Sequence, residues 1–238
     1  MPRWFTFFMP AEAKAVRQLF DEVAPHYDRL NDVLSLGLHR LWKREMVQRL
    51  APVSGEQWLD LCCGTGDLAL VLAERLRRGG AVLAVDAAAA PLQQARRRHQ
   101  RCPWLPVEWL QADALAVPRA AESFDGAVMA YGLRNLPSPA EGLRELRRLL
   151  HSGGRAAVLD FNRSGGAASA LQTQALRRVV VPVASQLGLR DQYAYLETSI
   201  AEFPAGAEQE QLAISAGFSW AQHRPMVAGL MGLLELRC

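Results

Sequence analysis

The residues that could do chemistry gather in one stretch of this 238-residue chain, Trp58-Leu-Asp60-Leu-Cys-Cys-Gly64-Thr65-Gly66-Asp67-Leu68-Ala69. A run of strand character enters it and a helical pattern leaves it. Gly64 and Gly66 let the backbone turn sharply and approach a ligand, and the helix that follows offers unpaired N–H groups. Gly64-x-Gly66-x-x-Ala69 alone also meets the dinucleotide-binding pattern, so the surrounding acids decide. Asp60 stands four residues ahead of Gly64, where an amino-acid ammonium would want a carboxylate. Asp86 ends the next strand-like run and suits a ribose diol, and Asp113, in Leu110-Gln-Ala-Asp113-Ala114, suits an adenine amino group. Any one of these acids could be a helix cap or turn former. Acids at three successive strand ends suit a cationic nucleoside amino acid, since a phosphate ligand would call for basic groups. S-adenosylmethionine is that ligand.

Such a site needs strands that end side by side, and the pattern from Gln57 onward supplies them. Trp58 to Leu61, Ala81 to Val85, Val107 to Leu110, Gly126 to Ala130 and Arg155 to Phe161 read as strands. Helical patterns lie between: Leu68 to Arg78 stopped by Gly79-Gly80, Pro91 to Arg101, and Pro139 to Leu150, after which Gly153-Gly154 turn the chain. Alternation of this kind predicts an α/β fold with a parallel sheet and ligands at the strands' carboxyl ends. A helix near Ala207 to Ala216 and two runs, Phe218 to His223 and Gly229 to Leu236, close the chain as a hairpin. The expected organisation is one domain: an N-terminal helical lid over 1–50, a cofactor-binding core over 57–161, a helical substrate insertion over 162–206, and the helix and hairpin over 207–238. In the lid, Leu34, Leu38, Leu41 and Trp42 share a helix face expected to pack on the core.

Composition agrees with a self-sufficient globular fold. Hydrophobic residues make up 50% and charged residues 21%, with a net charge of +3, so neither disorder nor a nucleic-acid-binding tail is indicated. Arg96-Arg97-Arg98-His99-Gln100-Arg101 reads as a solvated helix face without an aromatic platform. Four cysteines without C-x-x-C spacing spell no disulfide framework and no metal knuckle, and reduced thiols suggest a cytoplasmic protein. No apolar run approaches the ~20 residues of a membrane span. Trp4-Phe-x-Phe7-Phe8-Met9 suits either shallow interfacial insertion or a disordered tail.

Longer stretches carry a resemblance. Phe20-Asp-Glu-Val-Ala-Pro-His-Tyr27-Asp28 and Ser35-Leu-Gly37-Leu-His39-Arg40-Leu-Trp42-Lys43, with Leu59 to Asp67 and Gly132-Leu-Arg134-Asn135, resemble the menaquinone/ubiquinone biosynthesis C-methyltransferases from about Val16 to the C-terminus. Leu159-Asp160-Phe161-Asn162-Arg163, Tyr193-Ala-Tyr195 and Ala228-Gly-Leu-Met resemble the branch that methylates 2-phytyl-1,4-naphthoquinol in phylloquinone biosynthesis. The resemblance implies a class I S-adenosylmethionine-dependent (Rossmann-like) fold and methyl transfer to a ring carbon of a reduced, prenylated or phytylated naphthoquinol. It assigns Asp60, Gly64, Thr65, Gly66, Asp86, Asp113, Ala114 and Ala130 to the cofactor, no metal, and S-adenosylhomocysteine as product. Where much of the family has serine, Ala130 leaves only a backbone contact. Demethylmenaquinol or a polyprenyl benzoquinol is the alternative acceptor, and a homodimer is compatible with the pattern.

Arg134 is expected beside the acceptor, stabilising a developing phenolate, since a guanidinium stays protonated and makes a poor base. An arginine bridging to a nearby acid is the competing reading. Asn135 would orient the ring oxygen or a water, and Tyr27 would close over the cofactor and relay a proton. Asp160 and His39 are weaker candidates, and Phe20, Trp42, Tyr193 and Tyr195 could line a tail channel or simply be core. Transient membrane contact follows from an apolar tail. Two other functions stay open on the sequence alone: an NAD-dependent enzyme, and a non-catalytic scaffold that binds the cofactor.

Overall fold

The structure, a computed structural model, describes residues 16–21, 32, 35, 37–76, 79–163 and 197–238. A seven-stranded sheet runs β1 (Gln57–Leu61), β2 (Ala81–Asp86), β3 (Val107–Gln111), β4 (Phe124–Ala130), β5 (Leu150–Phe161), β6 (Trp220–Met226) and β7 (Met231–Arg237). In space the order is β3-β2-β1-β4-β5-β7-β6. The first five are parallel, and β7 enters antiparallel between β5 and β6. Strand order reverses between β1 and β4, the point where such sheets open a crevice at their carboxyl ends.

Helices α1 (His39–Leu50), α2 (Asp67–Leu76) and α3 (Ala89–His99) cover one face, and α4 (Pro139–Leu149) and α5 (Gly206–Ser215) the other. The period of two divides the central strands accordingly. Leu59, Leu61, Leu83 and Val85 join Leu143, Leu146 and Leu149 of α4, whereas Trp58, Val82 and Ala84 join Met46, Val47 and the α2 residues Leu68 and Leu72. Ser138 caps α4, its hydroxyl accepting from the Glu141 N–H at 3.2 Å, with Pro139 at the first position.

Most element boundaries fall within two residues of those read from sequence, and three readings change. Gly153-Gly154 do not turn the chain into β5; they lie inside it, Gly153 at φ +78°, where the β4–β5 register shifts in a bulge. The hairpin strands start two residues later than expected, at Trp220 and Met231; Val227, Ala228 and Gly229 all take positive φ and occupy the turn, which delays the second. Of the lid stripe, Leu38 and Leu41 do not pack on the core: they are 40% and 56% exposed. The buried face of α1 is His39, Lys43, Met46, Val47 and Leu50, with Trp42 half-buried at its side. The polar first turn of that face has a reason, which lies in the site. Most of the proposed insertion, residues 164–196, and with it Tyr193 and Tyr195, lies outside the described residues, as do Tyr27, Leu34 and residues 4–9.

Candidate active site

An open cleft of about 110 Å3 lies at the carboxyl ends of β1, β2 and β4. Gly64, Asp86, Asp113, Ala114, Ala130 and Asn135 reach it, and Val16, Arg17 and Phe20 border it from the N-terminal segment.

The glycine loop is built by its neighbours. Cys62 takes φ +61° and Gly64 and Gly66 take +54° and +79°, so the chain leaves β1 through three left-handed residues. A Cβ on Gly66 would lie 2.6 Å from Cζ3 of Trp109 and 2.8 Å from the Ala95 Cβ. The indole therefore fills the place where a side chain would stand. Trp109 donates its ring N–H to Nδ1 of His99 at 3.0 Å, and Nε2 of His99 faces the Leu105 carbonyl at 2.9 Å. Those partners assign the His99 proton to Nε2.

Asp86 is held ready. Its two oxygens accept from the N–H groups of Gly64 at 2.7 Å and Ala88 at 2.9 Å, leaving lone pairs toward the cleft. Burial pushes its carboxyl above the usual range, against those two N–H groups. Asp60 is 1% exposed beneath the loop; the Ala69 N–H serves it, and Oδ2 is buried with no partner. Burial first, then the charge of Asp67, pushes the Asp60 carboxyl well up. An orphaned buried acceptor is costly in a finished core and suits a site awaiting a cation. Asp113 lines the cleft but is half-exposed, and Arg17 reaches it at 2.8 Å, so its carboxylate faces a guanidinium in this state. Thr65 is buried at 2% exposure, and Nη1 of Arg98 donates to its carbonyl and hydroxyl, both at 3.2 Å.

On the opposite lip, β4 is followed by Tyr131, again left-handed at φ +60°. That turn aims its carbonyl back at the short helix Leu133–Asn135, where it accepts from Arg134 Nη1 at 3.0 Å and Asn135 Nδ2 at 2.7 Å. Arg134 does not line the cleft. It forms a buried pair with Asp160 at 2.9 Å, the side chains 8% and 3% exposed, and stacks 5.2 Å from the Phe161 ring centroid. Asp160 also accepts from the backbone N–H groups of Arg134 and Phe161, while burial pulls its carboxyl up against the guanidinium. The bridging arrangement considered for Arg134 is thus the observed one, and Asn135 is the member of the pair that meets the cleft.

Sequence reasoning passed over Lys43 and Tyr131. Lys43 is buried, donates to both oxygens of Asp67 at 2.9 Å and lies 5.5 Å above the Tyr131 ring centroid. It ties α1 to the loop on one lip and to β4 on the other. Burial opposes ionisation of Asp67, but Lys43 outweighs it and holds that carboxyl below the usual range. Neighbouring His39 is kept neutral by burial and by the Lys43 charge, with Ser35 Oγ at 2.8 Å from its Nδ1. Only the acidic first turn of α2 hinted at a cation there. Among the described residues no group of acids, histidines and cysteines is arranged to hold a metal.

The site fits S-adenosylmethionine on three counts: a buried carboxylate with one oxygen left unbonded for an ammonium, a pre-oriented acid for a diol, and a bare glycine loop between them. Comparison with known proteins agrees. The chain is similar to "2-phytyl-1,4-naphtoquinone methyltransferase" of Nostoc punctiforme, 46% identical over 92% of this chain and 96% of that one. It is 40% identical to the chloroplastic "2-phytyl-1,4-beta-naphthoquinone methyltransferase" of Arabidopsis thaliana, over 92% of this chain and 85% of that protein. Among solved structures, a SAM-dependent methyltransferase from Aquifex aeolicus shares the fold with TM-score 0.64 at 15% identity, covering 88% of this chain and 97% of that one. The model of the ubiE/COQ5 methyltransferase family matches residues 9–234, and this chain belongs to that family.

Proposed function

We propose that the chain moves a methyl group from S-adenosylmethionine to the unsubstituted ring carbon of 2-phytyl-1,4-naphthoquinol, the reduced form of the acceptor named in its relatives. The observation that carries this reading is the cleft itself. One wall is acids and backbone N–H groups, and the rest is bordered by Phe20, Tyr131, Leu136 and Pro137, apolar surface for a fused aromatic ring. S-adenosylmethionine, when bound, supplies a methyl on a cationic sulfur.

This chain's residues do the remaining work. Asp60 holds the ammonium, the Gly64 region lets the backbone lie close, Asp86 takes the ribose hydroxyls, and Asp113 with Ala114 borders the adenine. Much of the rate in such a displacement comes from alignment in a site that excludes water. A quinone ring carbon is electrophilic, so the acceptor must be the quinol, whose phenolic proton has an intrinsic pKa of about 10 by analogy with tyrosine. Asn135 orients a ring oxygen. Arg134 acts through position: neutralised by Asp160, it anchors the Tyr131 carbonyl that also holds Asn135. Tyr27, outside the described residues, is assigned the closing contact over the cofactor. An acceptor with an apolar tail places the working enzyme at a membrane surface.

The test is transfer of labelled methyl from S-adenosylmethionine to chemically reduced 2-phytyl-1,4-naphthoquinol, a polyprenyl naphthoquinol and a polyprenyl benzoquinol, each extracted into organic solvent. Label chiefly on the phytyl naphthoquinol is expected. Preference for either polyprenyl compound would replace the acceptor, and equal labelling of quinone and quinol would overturn the mechanism. Cofactor binding with no transfer would leave a scaffold role.

A further inference from the structure

The proposed acceptor drags a hydrocarbon tail, and the need for a membrane-docking surface rests on that reading. The first turns of α1 lie at the catalytic end of the sheet, since Lys43 on their inner side meets Asp67 and the Tyr131 ring. Their outer side carries Leu38 and Leu41, 40% and 56% exposed although the apolar positions of the later turns are fully covered. One turn on from Leu41 is Arg44, with Arg40 one turn before Arg44 on its own side of the helix, and both arginines are exposed.

These arginines open onto a polar cavity of about 340 Å3 that also takes in Lys43, Arg98 and Asp67. Three of its four cations are engaged: Arg40 with Asp32 at 2.8 Å, Lys43 with Asp67 at 2.9 Å, and Arg98 with the Thr65 oxygens. Arg44 has no acidic partner among the described residues. Against the carboxylates Asp32 and Asp67 the cavity keeps an excess of two positive charges. Glu45, the nearest other acid on α1, turns to Arg49 at 4.0 Å.

Exposed leucines alone are common, and a basic pocket alone would take any anion. Adjacent on one helix, at the end of the sheet where the acceptor must enter, they match a lipid leaflet in both its layers: methylenes for the leucines, phosphates for the cations. We propose that the N-terminal turns of α1 dock the protein on an anionic bilayer, with Leu38 and Leu41 inserted shallowly and Arg44 at the mouth of a headgroup-phosphate cavity.

Flotation of the full-length protein with phosphatidylcholine vesicles, and with phosphatidylcholine–phosphatidylglycerol vesicles, tests this. The wild type is expected to float with the mixed vesicles only, less so as salt rises. Arg44→Gln should weaken that partitioning about fivefold, and Leu38→Ser with Leu41→Ser about tenfold. Both variants should keep wild-type melting temperature and S-adenosylhomocysteine affinity, since neither set touches the cleft. Equal flotation with both vesicle types, or variants that float like the wild type, would overturn the proposal. So would saturable binding of inorganic phosphate without vesicle binding, which would make the cavity a soluble-anion site. Loss of flotation on deleting residues 1–10 with the α1 variants unaffected would move docking to the aromatic terminus. Flotation through α1 without methylation of any naphthoquinol would sink the substrate reading and leave the docking surface standing.

Discussion

Gly66→Ala probes whether the ligand loop is shaped by Trp109. Gly66 sits at φ +79°, and its carbonyl accepts the first bond of α2 from the Leu70 N–H at 3.1 Å. A side chain in the left-handed region costs about 1–2 kcal/mol, whatever surrounds it. The new Cβ would also stand 2.6 Å from Trp109 Cζ3 and 2.8 Å from the Ala95 Cβ, and both neighbours are pinned: Ala95 by its fully buried helix position, Trp109 by its bond to His99. Overpacking against fixed neighbours costs about 1–3 kcal/mol, so Gly66→Ala should lose roughly 2–5 kcal/mol in urea unfolding. The two parts separate in a double-mutant cycle. Trp109→Leu removes the clashing ring edge, so the double variant should recover the packing share and keep the backbone share, a coupling of about 1–2 kcal/mol. S-adenosylhomocysteine affinity, measured by calorimetry on the folded fraction, should fall with Gly66→Ala and recover in part in the double variant. A loss below about 1 kcal/mol, or a cycle additive within ~0.5 kcal/mol, would refute the idea that the indole sets the loop.

Arg134→Ala leaves Asp160 buried without its cation and should cost about 3–5 kcal/mol; Asp160→Asn in the same chain should restore part of it, and turnover should fall in both while cofactor affinity changes little. Equal losses of turnover and affinity would assign Arg134 to the cofactor instead. Asp60 titrates well above an ordinary carboxylate because it is buried, and a cationic ligand must find it ionised. Affinity for S-adenosylhomocysteine should therefore weaken as pH falls through that raised pKa, and binding in that range should release a proton; calorimetry across pH in buffers of different ionisation enthalpy reads this, and no proton release at any pH would reject the assignment. Lys43→Met should destabilise the fold by about 2 kcal/mol, discounted because Asp67 is partly exposed. Since Asp67 is held below its unfolded pKa of about 3.9, that contribution is present above this value and lost as pH falls through the folded one, so wild type and variant should converge in acid melts.

The frame of this protein is written locally and its site only half so. Strands of four to seven residues, separated by glycine and proline punctuation, announce a parallel sheet, and an acid at or just beyond the end of a strand is visible in the chain itself. Asp60, Asp86 and Asp113 were readable for that reason. The pairs that finish the site leave no such trace: Lys43 meets Asp67 across 24 residues and Arg134 meets Asp160 across 26. Neither separation has a period, so the arginine was legible as important and not as buried. Tyr131 looks like an ordinary aromatic after a strand, and only the backbone shows that its carbonyl holds both neighbours. The exposed Leu38 and Leu41 were misread because the period of 3.6 identifies a stripe without saying which side of it a lysine will claim for the core.

The placement of β7 reaches beyond the finished molecule to its manufacture. Residues 231–237 are made after the other six strands, yet they form the interior strand that joins β5 to β6, and Cys238 N–H bonds the Gly154 carbonyl at 2.9 Å. While the ribosome is adding residues at about 5–20 per second, β5 presents an open edge and the hairpin has no second strand. The nascent chain must wait, sticky and unsealed, until residues 231–237 have been made. A chain cut before residue 231 would lack the strand that closes the sheet, leaving β5 with an open edge and β6 with no partner.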